Sequence, residues 1–367
     1  MSIPRGWRGW LVVVLIAIAG GGAAGSVAAS REAAQATPVP GDPVQVVAAG
    51  LVNPRGVAFN DGGEIIVALA GTVGGTAGVA EIVAGCPRAL VEGVPTSRVV
   101  FGAPVGVADV AFLNGQLYAL VAGGDIDRGA AVNGLYRVEA NGELALVADI
   151  SSFIRDNPVA EVPGDYDTDG QPYALLPDGD GFLITEGNSN QLMRATLDGR
   201  ATRVADLSRG HPISTGIAPA PDGGVYVGYF SIAPYTEGTS KVVRVAVDGS
   251  VTDAWTGLSL IMALAVDGAG ELYALEMASG YGDDGGEIGP GTGRLVRQTG
   301  PDGAEVVATG LSLPTAMEFG PDGALYVASP ILGADDGQGI ILRFDLDLAG
   351  GQPIAMPDEM PAAPACG

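Results

Sequence analysis

Residues Leu313–Ser329 read LPTAMEFGPDGALYVAS: an apolar run at Ala316–Phe319, a turn at Gly320-Pro321-Asp322-Gly323, and a second apolar run at Ala324–Ala328. An Asp-Gly pair between two such runs is the strongest local signal for a β-hairpin, because the glycine accepts the positive φ that the turn imposes. Nothing in the stretch itself reads as catalytic.

The same unit recurs on either side. Asn53–Ala70 turns at Asp61-Gly62, Gly106–Ala122 at Asn114-Gly115, and Tyr173–Glu186 within Pro177–Gly181, followed by Thr215–Tyr229 at Asp222-Gly223 and Met262–Glu276 at Asp267-Gly268. A third strand follows most copies, at Gly134–Val138, Gln191–Ala195, Lys241–Val245, Arg294–Gln298 and Ile340–Phe344, with Arg137, Arg194, Arg244, Arg297 and Arg343 at one shared position. A further Asn-Gly or Asp-Gly turn leads to a fourth strand, such as Arg203–Leu207 or Glu305–Ala308. In the first copy Val79–Val83 and Arg98–Phe101 are expected to fill these places.

Four strands per repeat at a spacing of roughly 50 residues predict an all-β, six-bladed β-propeller of four-stranded antiparallel blades. Ile66, Tyr118, Leu183, Tyr226, Tyr273 and Tyr326 share one position of the second strand and are expected to pack blade against blade. The last copy lacks a fourth strand. Val44–Leu51 (VQVVAAGL) resembles the fourth-strand segment Glu305–Leu311 (EVVATGL) and is expected to complete the last blade and close the ring, since an open sheet edge leaves backbone groups unpaired. No window has a convincing amphipathic helical period.

The chain of 367 residues has a formal charge of −24 with only 18 Lys and Arg, which excludes a basic face for nucleic acid. Arg5 and Arg8 precede an apolar run from Trp10 to Ala19 and then small residues. That is the pattern of a signal peptide over 1–36, too short to span a bilayer comfortably, with an uncleaved anchor over Trp10–Ala24 as the alternative. A Pro-rich linker is expected over 37–43, the propeller over 44–348, and a poorly ordered Pro-rich tail over 349–367. The two cysteines, Cys86 and Cys366, either pair in an oxidising compartment or remain thiols.

Pro314-Thr315-Ala316, Met262–Ala278, Gln171–Glu186 and Glu237–Gly249 together resemble the ScyD/ScyE family, secreted six-bladed propellers of the NHL-repeat type. The resemblance covers about residues 44–346 and is most specific in blades three to six. It implies fold and secretion and brings no catalytic residue. Where family members often carry a His beside the Asp of the second blade's first strand, this chain has Ala108-Asp109. The implied protein is a secreted binding or interaction module, a monomer without a stable membrane span, taking a small molecule, glycan or protein ligand.

Two constellations carry possible metal chemistry. Asp165, Asp167 and Asp169 with Gly170 match the D-x-D-x-D-G opening of a calcium loop, but the twelfth position is Leu176 where a bidentate Glu is expected, so a solvated acidic loop is the rival reading. Propellers resembling the SMP-30 lactonases hold a divalent metal in the central channel through Glu, Asn and Asp from different blades. The channel or rim candidates here are Arg55, Asp109, Tyr173, Glu186, Asn188, Thr215 and Glu276. Glu186 and Glu276 stand where other blades have Leu69, Val121, Tyr229 and Ser329, so they break the repeat. A metal-dependent lactonase is the alternative function. His211, the only histidine, lies near Ser208 and Ser214, but no G-x-S-x-G elbow supports a triad.

Overall fold

The computed structural model describes residues 41–366 apart from 99–101, 130, 283–285, 287 and 358–359. The expected signal peptide and most of the linker lie outside the described residues.

The chain forms six blades, each built on a four-stranded antiparallel sheet. Their inner hairpins are Pro54–Phe59 with Ile65–Leu69, Val107–Leu113 with Gln116–Val121, Pro172–Asp178 with Gly181–Glu186, Ser214–Pro219 with Val225–Tyr229, Ile261–Val266 with Leu272–Glu276, and Ala316–Phe319 with Leu325–Ser329. The local chemistry explains the turns. Leu113 pairs with Gln116 across Asn114 and Gly115, whose φ values of 53° and 75° suit a two-residue turn that follows the twist of its strands.

Four of the five repeated arginines hold the same end of their blades, whereas Arg137 pairs with Glu139 just beyond its own strand. Arg194 reaches Asp178 at 2.8 Å, Arg343 reaches Asp322 at 2.9 Å and Arg297 reaches Glu271 at 2.6 Å, so each of these third strands is tied to the turn joining the first two. These exposed pairs contribute roughly 0–1 kcal/mol each. Packing does more. The hydrophobic clusters lie between neighbouring blades: Ile66, Val79, Val110 and Ala119 join blades one and two, while Trp255, Leu264, Val242 and Ala274 join four and five. Ring contacts repeat the theme, with Tyr118 on Phe182 at 5.1 Å, Tyr273 on Phe319 at 5.4 Å and Phe59 on Tyr326 at 4.8 Å.

The fourth strand of blade six is Val44–Leu51, which pairs antiparallel with Gly339–Phe344. A register shift between Val46 and Ala48 changes the face it presents. Val44 and Val46 join the cluster shared by blades five and six, whereas Ala48 and Leu51 join that of blades six and one.

Three expectations are corrected. The fourth strand of blade one is Cys86–Val94, not Arg98–Phe101; Ser97–Arg98 instead pairs with Pro104–Val105 in a separate small ribbon. Among the described residues there is one short α-helix, Ile150–Asp156, begun by the Asp149 carboxylate accepting from Ser152 N–H at 2.8 Å. Seven residues are too few to show a period in the sequence. The tail is held rather than loose: Ile354–Ala355 adds a parallel strand beside Gly303–Leu311, and Cys366 closes a disulfide with Cys86.

Candidate functional site in the central channel

Tight turns occupy one face of the ring, while the longer connections, including the helix, gather on the face where the first strands begin. That asymmetry shapes a funnel of about 710 Å³ at the centre. Apolar residues form one side of its mouth, where Phe230, Met262, Ile331 and Tyr235 pack together and Tyr235 meets Phe230 edge-on at 5.6 Å.

The first strands line the wall. Their pairing registers make Gly56, Asp109, Ala174, Gly216, Ala263 and Ala316 equivalent, so five positions are Gly or Ala and one is Asp. Strands converge too closely here for larger groups: a Cβ on Gly216 would fall 2.6 Å from the Leu264 nitrogen. Gly56 is bare for a related reason, since the Asp109 carboxylate lies over it. Asp109 accepts from its neighbour Val110 N–H at 2.8 Å and from Leu175 N–H of the next blade at 2.7 Å. Burial pushes its carboxyl up to about 7, against the pull of those two amides.

Two positions further along, Ala58, Ala111, Leu176, Ala218 and Ala265 are matched by Glu318. Water reaches the Glu318 side chain through the channel, yet protein surrounds it, and among the described residues it has no hydrogen-bond partner. Burial first, then the negative charge of Asp109, pushes Glu318 up to about 8. This residue was missed by sequence reasoning although it sits in the hairpin that decides the fold. Comparing first strands position by position, as was done for the second strands, would have found it.

Arg55 and Tyr173 lie at the wider level of the same channel. Arg55 is 6% exposed; its Nη2 donates to the Pro104 carbonyl, the Tyr173 hydroxyl is beside it, and its Nε has no acceptor. Burial lowers the arginine and raises the Tyr173 phenol to about 12. Thr215 also lines the channel, but its hydroxyl donates to Ile261 O at 2.6 Å and thereby links blades four and five.

The acidic loop lies at the mouth. Asn188 holds it, accepting from Asp167 N–H at 2.7 Å and donating to Asp165 O at 3.0 Å. The Asp165 carboxylate meets His211 Nε2 at 3.0 Å, while His211 Nδ1 lies 2.6 Å from Asn190 Nδ2, so both ring nitrogens are engaged. Asp169 faces Arg155 at 3.3 Å and the Ile126 amide at 3.3 Å. Ser208 donates to Asp206 at 2.6 Å, away from the histidine.

The two glutamates that break the repeat are structural. Glu186 is fully buried and accepts from Gln171 N–H at 2.6 Å, Asn188 N–H at 2.9 Å and Ser189 N–H at 2.7 Å, as well as from the Ser189 hydroxyl. Glu276, also fully buried, pairs with Arg294 and accepts from Ser259 N–H at 2.6 Å. Neither lines the channel with Asp109. Among the described residues no group of three or more His, Cys, Asp or Glu is placed to hold a metal ion. A divalent cation therefore does not fit the donor set expected from Glu186, Asp109 and Glu276, nor the acidic loop as it is bonded.

No family model and no curated protein matches the chain. Solved structures do. A Thermus thermophilus protein described as an oxidoreductase (glucose dehydrogenase) is 18% identical, with a TM-score of 0.59 over 82% of this chain and 99% of that one. A gluconolactonase from Xanthomonas campestris is 13% identical, with a TM-score of 0.53 over 82% and 89%. Regucalcin from Agrobacterium tumefaciens, a calcium-binding protein, is 14% identical, with a TM-score of 0.51 over 82% and 92%. At this distance the likeness shows the six-bladed propeller fold.

Proposed function

We propose that the central channel takes a small oxygenated molecule and that the chain is a hydrolase of the lactonase kind, using its own carboxyls as acid and base. The observation that carries this reading is the pair Asp109 and Glu318, the acidic exceptions at two wall positions that are otherwise small or apolar. Departures from an internal repeat are where a site is grafted onto a fold. The channel raises both carboxyls, Asp109 to about 7 and Glu318 to about 8, so the two are ordered in the direction that suits Asp109 as base and Glu318 as acid near neutral pH. Asp109 would take a proton from water as the water oxygen attacks the ester carbonyl. Glu318 would give its proton to the ring oxygen as the C–O bond breaks, yielding a hydroxy acid, after which a proton returns from Asp109 to Glu318.

The gluconolactonase among the structural neighbours supports this class, although the metal-dependent form of the idea does not fit the donors here. The test is acid release from γ- and δ-lactones by the purified protein. Turnover that falls at least about 100-fold in Asp109→Asn and Glu318→Gln is the expected result; no turnover of any lactone would overturn the hydrolase reading.

A second reading has its own support. Both Asp109 oxygens are held by backbone amides, which suits a ScyD/ScyE-like secreted monomeric module that binds in the channel without turnover. Either way, the Cys86–Cys366 disulfide supports passage through an oxidising compartment after removal of the leader. Among the described residues no helix is long and apolar enough to cross a membrane. Mass measurement of the exported protein, with a new N-terminus near Thr37, tests the leader.

A further inference from the structure

Arg55 poses a problem that the fold does not solve. A buried cation is costly unless it is paired, and among the described residues no carboxylate pairs with Arg55. A guanidinium carries five N–H donors. Here they meet one backbone carbonyl and the neighbourhood of one phenol, both neutral, and the Nε is left without an acceptor. Arg294, Arg297 and Arg343 behave differently, each facing a carboxylate, and Arg203, which meets only neutral acceptors, has its Nε satisfied by Gln191 Oε1 at 2.8 Å. Arg55 is also nine-tenths buried while lining the 710 Å³ cavity, so the missing partner has room to arrive from the channel.

We propose that Arg55 is the anchoring residue for a ligand carboxylate, and that the channel selects small monocarboxylates. A planar fork of N–H donors matches a carboxylate in geometry and charge. Selection for a single negative charge follows from the mouth, where Asp125, Asp127, Asp165 and Asp167 line the way in and disfavour a second anionic group. The apolar side of the mouth, with Phe230, Met262 and Tyr235, accommodates an uncharged remainder. The inference deepens the lactonase reading, because a hydroxy acid is the product of lactone opening, but it does not depend on turnover.

Acetate is a probe small enough for any carboxylate site, acetamide is its neutral counterpart, and sodium chloride controls for ionic strength. In the full mature protein, acetate is expected to raise the thermal midpoint above that in equal chloride, and acetamide is not. Arg55→Met is expected to abolish the acetate effect, and Arg55→Lys, which keeps the charge but not the fork, to weaken acetate binding about tenfold or more. If Arg55→Met fails to fold, Arg55→Lys alone decides the matter. Acetate behaving as chloride does in the wild type, or acting equally on the variants, would overturn the proposal. Lactone turnover retained without an acetate effect would sink this inference alone, whereas an acetate effect without turnover would sink the hydrolase reading alone.

Discussion

Replacing Glu186 separates a metal ligand from a structural carboxylate. In the wild type its two oxygens accept from three backbone N–H groups, at 2.6, 2.9 and 2.7 Å, and from the Ser189 hydroxyl. Glu186→Ala leaves three amides without an acceptor in a site where the carboxylate was fully buried. Each orphaned donor costs roughly 1–3 kcal/mol, and partial hydration of the Gln171 and Asn188 amides places the total at about 3–6 kcal/mol. That is a large share of the about 5–15 kcal/mol that stabilises a typical domain. Glu186→Gln keeps one acceptor oxygen and turns an amide toward the remaining donors, so about 2 kcal/mol is expected. Trp255 is fully buried and is the one tryptophan after Trp10, so its fluorescence reports unfolding in urea. A chelator should leave the wild-type midpoint unchanged. Loss of stability on chelation in the wild type, together with a Glu186→Gln variant of wild-type stability that ignores the chelator, would show that the carboxylate holds a metal and refute the reasoning.

Deleting Val44–Leu51 removes Val44, Val46, Ala48 and Leu51 from two inter-blade clusters; at about 1.5–3 kcal/mol for each large side chain, cooperative thermal unfolding should be lost or greatly lowered, and an unchanged transition would refute ring closure by this strand. The carboxyls of the channel predict a pH dependence with a definite sign. Unfolded Asp and Glu lose their protons near pH 4, while the folded Asp109 and Glu318 keep theirs to about 7 and about 8. The folded state therefore holds more protons between these limits, so their contribution lowers stability as pH rises from about 4 to about 8 and is constant above. Urea midpoints across pH 4–9 should show less of this fall in Glu318→Gln than in the wild type, and identical slopes would contradict the assignment. Cys366→Ser should free the tail, with early proteolysis after Ala355 and a loss of about 2–4 kcal/mol; a protease-resistant tail would refute its role as a tether.

The blades were legible because they are local. Asp-Gly turns, alternating apolar runs and a repeated arginine lie within a few residues of one another, and each copy confirms the next, so the chain by itself determined six hairpins and their third strands. Cys86–Val94 was misplaced because its pattern is irregular, with exposed residues on both faces. The tail was misjudged for a related reason, since its stability comes from the Gly303–Leu311 edge and from Cys86, both remote in sequence.

The site was legible only in part. Glu186 and Glu276 break the repeat as a catalytic residue would, but whether a buried carboxylate serves a ligand or the backbone depends on which N–H groups the loops bring to it. Glu318 lies in the opening hairpin, and its chemistry comes from Asp109 four blades earlier in the chain and from the channel that surrounds both. Arg55 is a channel or rim candidate in the sequence, but its lack of an ionic partner shows only once the ring closes around it. Periodicity settles what each strand is, because it is written residue by residue; which side chains share one channel, and which of them are left without a partner, is decided only when six separate strands converge on a common axis.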